Sequence, residues 1–142
     1  MIAFDTNILV YAHRSESPFH DRARAVVRST SEGGEAWAIP WPCVHEFLAI
    51  VTNPRIFKTP TPTAKAVDQV DAWLASPMVR LLAEDEGYLE VLKRLVAEGR
   101  VTGGKIHDAR VAALAIFHGA RELLTADRDF SRFPSLPTRN PL

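Results

Sequence analysis

Three features of this 142-residue chain predict an α/β fold with a largely parallel central sheet flanked by helices. Short apolar runs typical of buried strands alternate with longer segments of helical periodicity. Glycine and proline residues, which favour turns, separate these strand-like runs and helical segments. The apolar fraction of 46% is sufficient for a core, and the length suits a single domain over residues 1–142.

The predicted strands are short and apolar. Residues 2–4 (IAF) form the first, and residues 36–39, 79–82 and 122–125 have the same character. Pro40 ends the second strand, because proline lacks the amide that a sheet needs. The segment LPTR near residue 138 is a candidate for a last edge strand.

Six helices are predicted, over residues 7–12, 19–31, 41–52, 63–75, 87–98 and 105–118. Apolar residues recur on one face of each, as in the stripe of Val44, Phe47, Leu48 and Val51. Gly99 is interpreted as the stop of the fifth helix. Residues 53–63 contain several prolines and are predicted to form a loop or arm.

Composition excludes several classes of function. The 17 basic and 17 acidic residues cancel, so a polyanion site would have to be local. The single cysteine, Cys43, is interpreted as a core residue and allows no disulfide within the chain. Because no apolar run is long enough for a membrane span and no secretory signal is found, a soluble cytoplasmic protein is expected.

Four acidic residues are the main clue to chemistry: Asp5, Glu46, Asp108 and Asp127. Asp5 and Asp127 each follow a predicted strand, at the edge where parallel α/β sheets gather their sites. Carboxylates in one cleft repel each other unless cations neutralise them. The four acids therefore predict a metal site, with phosphate chemistry as the expected use.

Each acid also has an ordinary structural explanation. Asp5 could cap a helix, although Thr6 and Asn7 could do the same. Asp108 would stabilise the first turn of its helix through the helix dipole. Glu46 could face solvent, yet its neighbours four residues away on either side, Pro42 and Ile50, are apolar, which favours a cleft.

The segment TADRDF holds two further candidates beside Asp127. Thr125 and the acids suit a cation with its hydrating waters, while turn formation is the alternative. Asp129 either binds through water or only caps the turn. A phosphatase of the haloacid-dehalogenase type is set aside, because its second acid would stand where this chain has Asn7. Zinc is disfavoured because His45 and His107 form no tight His/Cys cluster.

The chain resembles the PIN-domain family, and specifically VapC-type toxins of toxin–antitoxin pairs. The resemblance rests on FDTNILVYA, HEFLAIVTNPRIF, KIHDARVAALAIFHGA and LLTADRDFSRFP, which agree in spacing and order over nearly the whole length. It implies a PIN-like three-layer fold and a Mg²⁺- or Mn²⁺-dependent endoribonuclease that hydrolyses RNA with a metal-activated water. It also implies a homodimer and a small antitoxin protein as partner.

Carried over by position, the resemblance makes Asp5, Glu46, Asp108 and Asp127 the catalytic acids and metal ligands. It makes Asp129 an auxiliary metal ligand. Thr6, Asn7 and Thr125 match the polar residues that support the acids. Two alternatives remain open: a PIN nuclease of RNA processing, and a non-catalytic binding module that retained the acidic cleft.

Some basic and aromatic residues are candidates for contacts with RNA. Arg55 and Lys58 are candidates for a phosphate-contacting arm, with Lys105 and Arg128 helping near the acids. Trp37, Trp41 and Trp73 could stack on bases. Their apolar surroundings favour core packing instead.

Overall fold

The computed structural model describes residues 1–142 and contains one sheet of five parallel strands in the order β3-β2-β1-β4-β5. The strands are β1 Ile2–Phe4, β2 Trp37–Pro40, β3 Val79–Leu82, β4 Glu122–Leu124 and β5 Thr138–Arg139. The order reverses between β1 and β4, which pair along Ala3 and Leu123. Ligands of parallel sheets bind at such a switch point, beyond the carboxyl ends of the strands.

Six helices flank the sheet and confirm the predicted α/β class. They are α1 Thr6–His13, α2 His20–Glu32, α3 Trp41–Val51, α4 Thr63–Leu74, α5 Tyr88–Gly99 and α6 Ile106–Phe117. Each helix end agrees with the predicted one or differs from it by a single residue. Short 3-10 turns at Gly103–Lys105 and Arg128–Arg132 were not foreseen. None of the helices combines the length and the apolar character that a membrane span requires.

The core lies between the sheet and the helices. Phe4 and Trp37 are fully buried and meet edge to face at 5.8 Å between ring centroids. Helix α6 buries alanines, such as Ala109 and Ala112, against the sheet, and small side chains allow this close approach. Cys43 is fully buried, which confirms its interpretation as a core residue.

The three tryptophans do not share one environment. Trp37 is fully buried and donates from Nε1 to Ser76 Oγ at 2.9 Å, and Trp73 is partly buried against Phe47. Trp41, however, is 36% exposed, so the expectation of core packing is wrong for this residue. The reason is position: Trp41 is the first residue of α3, where the chain leaves the edge of the sheet.

Candidate active site at the carboxyl edge of the sheet

Asp5 lies at the end of β1 and is only 6% exposed. Its Oδ1 accepts a hydrogen bond from the Thr6 amide at 2.8 Å. Its Oδ2 accepts from Asn7 Nδ2 at 3.0 Å and from Thr125 Oγ1 at 2.7 Å. The capping role left open by the sequence is therefore real, but it uses only one of the two oxygens.

Burial raises the pKa of Asp5 from 3.8 to about 6. The hydrogen bonds from Thr125 and from the Thr6 amide oppose this rise, and the charges of Glu46 and Asp108 add to it. The carboxyl group is thus held where its negative charge is poorly solvated and repelled by other acids. A cation beside it would relieve both costs.

Cys43 approaches Asp5 from α3. Its Sγ lies 3.7 Å from Asp5 Oδ1, in the geometry of a weak hydrogen bond donated by the thiol. Burial, followed by the nearby Asp5 charge, raises the pKa of Cys43, so that the thiol keeps its proton. Sequence reasoning identified Cys43 as core but gave no signal for this contact, since the two residues are 38 positions apart.

Glu46 faces a cleft of about 610 Å³ on the exposed side of α3. Asp108, at the start of α6, lines the same cleft. The opposite face of α3 buries Val44, Phe47 and Val51 in the core. Helical periodicity therefore turns Glu46 toward the acids and away from the core.

Asp108, Asp127 and Asp129 form a close acidic trio. One carboxylate oxygen of each lies within 4.8 Å of those of the other two. Asp127 follows β4, and its Oδ1 accepts from the Asp129 amide at 2.9 Å. Its own amide donates to Thr125 Oγ1 at 3.0 Å. Asp5 and Glu46 lie outside this trio, although Thr125 connects it directly to Asp5.

Lys105 supplies positive charge to the trio. Its Nζ contacts the Asp129 carboxylate and lies 3.7 Å from Asp108 Oδ2. The Lys105 hydrogen bond lowers the pKa of Asp129, and the same bond raises the pKa of Lys105. Burial still raises the pKa of Asp108, with Lys105 opposing and the charges of Asp127 and Asp129 adding to the rise.

Comparisons with known proteins identify the family of this chain. The family model for the PIN domain matches residues 2–136. Ribonuclease VapC43 of Mycobacterium tuberculosis is 35% identical over 142 residues, covering 100% of this chain and 96% of that protein. Ribonuclease VapC48 of the same organism is 31% identical over 138 residues, covering 97% and 95%.

This chain belongs to the PIN-domain family, among the VapC ribonucleases. The resemblance identified from the sequence is thereby confirmed. Two solved structures share the PIN fold with it: VapBC2 of Rickettsia felis bound to a promoter DNA fragment, and VapC20 of M. tuberculosis, a toxin that cleaves the sarcin–ricin loop. The first has a TM-score of 0.72 at 21% identity and covers 99% of this chain and 98% of that one. The second has a TM-score of 0.66 at 18% identity, with coverage of 92% and 93%.

The donor set of this PIN domain fits a hard divalent cation. The trio offers only carboxylate oxygens, which Mg²⁺ and Mn²⁺ prefer, and includes no histidine or cysteine. The buried Thr6 hydroxyl, beside Asp5, has no hydrogen-bond partner within the protein.

Two of the basic residues singled out from the sequence lie near the acids of the PIN domain, and two lie elsewhere. Lys105 lies at the trio, and Arg128 lines a depression together with Thr125 and Asp127. Lys58 instead lines a separate depression with His13, at the far end of α1. Arg55 is exposed in the segment that follows α3.

Arg110 was missed by sequence reasoning, although it lines the cleft that contains Glu46. Its guanidinium pairs with Glu84, and this hydrogen bond lowers the pKa of Glu84. A charged residue inside the apolar run of α6 was the available signal. Its partner could not be found from sequence, because 26 positions separate the two residues.

Proposed function

We propose that this protein is a divalent-metal-dependent endoribonuclease that acts as the toxin of a toxin–antitoxin pair. The observation that carries the proposal is the convergence of acids from four elements at one sheet edge. They are Asp5 after β1, Glu46 on α3, Asp108 on α6, and Asp127 with Asp129 after β4. Family membership supports the ribonuclease activity, because the relatives at 31–35% identity are VapC ribonucleases.

Asp5, Asp108 and Asp127 are the proposed metal ligands, with Asp129 as an auxiliary ligand and Glu46 completing the acidic wall. A bound Mg²⁺ or Mn²⁺ supplies a Lewis acid that lowers the pKa of water and stabilises charge at phosphorus. The family resemblance implies that the products carry a 5′-phosphate and a 3′-hydroxyl, which requires water to add to phosphorus as the bond from phosphorus to O3′ breaks.

Polar residues of the protein orient the carboxylates that would hold the metal. Thr125 and Asn7 hold the Asp5 carboxylate in one orientation through hydrogen bonds of 2.7 and 3.0 Å. Asn7 Oδ1 also accepts from the Ala126 amide at 2.9 Å, which ties α1 to the loop after β4. This support from surrounding hydrogen bonds keeps the ligands in place before substrate binds.

The proposed partners are RNA, a small antitoxin and a second copy of the chain. VapC20 is a toxin that cleaves the sarcin–ricin loop, and the Rickettsia protein was solved as VapBC2, a toxin–antitoxin complex. The cytoplasm is the proposed place of action, since RNA is found there and the chain uses no disulfide.

The decisive experiment compares RNA cleavage by wild type, Asp5→Asn and Asp68→Asn with Mn²⁺ and with EDTA. Asp5→Asn keeps the shape of the side chain and removes its charge. We expect cleavage to fall by roughly three orders of magnitude, which matches the several kcal/mol that metal ligation supplies. Asp68→Asn, on the exposed face of α4, is the matched control and should cleave like wild type.

Circular dichroism should show that both variants are folded. Cleavage that persists in EDTA, or at the wild-type rate in Asp5→Asn, would contradict the proposal. Toxicity on expression, relieved by a small protein encoded beside this one, separates a toxin from a nuclease of RNA processing. A folded protein that cleaves no RNA in Mn²⁺ would favour the non-catalytic alternative.

A further inference from the structure

Two exposed rings lie together on α3 at the acidic cleft: His45 lines the cleft, and Trp41 lies beside His45, outside the lining itself. Trp41 is the first residue after β2, so it lies at the same sheet edge as Asp5 at the end of the neighbouring strand β1. His45 follows one helical turn later and is also exposed. The two ring centroids are 6.0 Å apart with planes inclined by 35°. We call Trp41 and His45 the aromatic rim.

The hydrogen bonding of His45 fixes its orientation. Its Nδ1 lies 3.0 Å from the Trp41 carbonyl oxygen, and a carbonyl oxygen can only accept. Nδ1 therefore donates its proton, so the neutral ring keeps Nε2 as a hydrogen-bond acceptor. His45 lines the cleft shared by Glu46 and Asp108, and no protein group bonds to its Nε2.

We propose that the aromatic rim is a binding site for one unpaired nucleobase of RNA, next to the phosphate that is cleaved. This inference rests on the proposed ribonuclease function and adds a mode of substrate recognition. The Trp41 ring offers a stacking face, and His45 Nε2 offers an acceptor for an amino group of the base. A base in a duplex is already stacked and paired, so the rim selects single-stranded segments.

The size and chemistry of the rim favour RNA over a protein partner. Two rings form a much smaller surface than the roughly 800 Å² per partner of a stable protein interface. The neighbouring wall is acidic and contains Glu46 and Asp108, which fits a phosphate chain accompanied by cations. The other tryptophans are unsuitable, because Trp37 is fully buried and Trp73 packs against Phe47.

The test measures RNA binding to the intact protein by tryptophan fluorescence. The probes are short single-stranded RNA homopolymers and the same strands annealed to their complements, titrated in EDTA so that metal-dependent cleavage does not consume them. Stacking on Trp41 should quench emission with single strands only. Trp41→Ala should weaken binding roughly 5- to 150-fold, the fold-change that base–aromatic stacking predicts. Trp41→Phe should largely restore affinity while the quenching disappears.

Two further variants define the site. Phe19→Ala removes an exposed aromatic ring at the start of α2, outside the cleft, and should leave affinity unchanged. His45→Asn retains a donor for the Trp41 carbonyl but lacks the Nε2 acceptor. It should reduce the difference in affinity between amino-bearing bases and uracil.

The proposal is overturned if wild type shows no quenching with any single strand, or if Trp41→Ala binds like wild type. Unchanged RNA affinity together with loss of antitoxin binding would assign the rim to the protein partner and also overturn it. Quenching by RNA in a protein that cleaves none in Mn²⁺ would support the base site while contradicting the proposed nuclease. The two failures are therefore distinguishable.

Discussion

Lys105 shows how a single side chain moderates an acidic site. Its ammonium contacts Asp129 and lies 3.7 Å from Asp108, so it occupies space where a metal ion would also be attracted. The protein is neutral overall, with 17 basic and 17 acidic residues, yet this edge gathers negative charge. A tethered cation allows the acids to coexist before a divalent ion arrives.

Lys105→Ala is predicted to tighten divalent metal binding. Removal of the ammonium frees the Asp108 and Asp129 oxygens and removes a like charge, so the dissociation constant for Mn²⁺ should fall roughly fivefold at low salt. Isothermal titration calorimetry of wild type and variant measures this. Lys65→Ala, on the exposed face of α4, is the control. Equal or weaker Mn²⁺ binding by Lys105→Ala would show that the lysine does not compete with the metal.

Helix α5 shows how packing between elements overrides local rules. Gly99 was interpreted as a helix stop, but the helix includes Gly99, and the left-handed residue that follows is Arg100, with φ of 49°. Glycine is needed at position 99 because the Phe133 ring leaves no room for a side chain there. A Cβ atom at Gly99 would lie 2.6 Å from Cε1 of Phe133, which is fully buried and follows the turn that contains Asp129.

Gly99→Ala is therefore predicted to destabilise the protein. Because Phe133 is enclosed by the core, the added methyl group must displace packed atoms, and the free energy of unfolding should fall by about 1–3 kcal/mol. Urea denaturation followed by circular dichroism measures this. Gly104→Ala is a matched control, since a Cβ atom there meets nothing within 4 Å. If both variants unfold at the same urea concentration, the close approach of Phe133 has no energetic consequence.

At the scale of the whole molecule, the acids at the sheet edge lower the free energy of unfolding when they are charged. The carboxylate of Asp5 is buried among other acids, and its pKa rises from 3.8 to about 6 in the folded state. Below the unfolded pKa, the carboxyl group is protonated in both the folded and the unfolded chain, and the fold has its full stability. Between the unfolded and the folded pKa, only the folded chain holds the proton, and the stability falls as the pH rises. That contribution is lost as the pH rises through the folded pKa.

The stability of the metal-free protein should depend on pH accordingly. Between about pH 4 and pH 6, Asp5 should cost about 3 kcal/mol of unfolding free energy, from the difference between 3.8 and about 6. Denaturation in EDTA at several pH values, compared with Asp5→Asn, isolates this contribution. The variant should gain stability relative to wild type as the pH rises, and Mn²⁺ should reverse the difference. Parallel pH profiles in EDTA would contradict the raised pKa.

Local patterns were sufficient to predict every α-helix and strand within a few residues, although not the two short 3-10 turns. The apolar run of residues 2–4 and the stripe from Val44 to Val51 indicate burial directly, because periodicity specifies which side chains share a face. The order of elements also places Asp5 and the TADRDF segment at one edge, since parallel strands point the same way. These features depend only on neighbours in the chain.

Other features required the folded chain, because they depend on distances between separate elements. The exposure of Trp41, the contact of Lys105 with Asp129 and the pairing of Arg110 with Glu84 could not be deduced from spacing. The same holds for the room that Phe133 needs beside Gly99. Sequence alone thus specified the fold class and which acids could meet. The packing of the helices onto the sheet decided how close the acids lie to each other. Only that packing determines how well each charge is solvated and which groups it contacts.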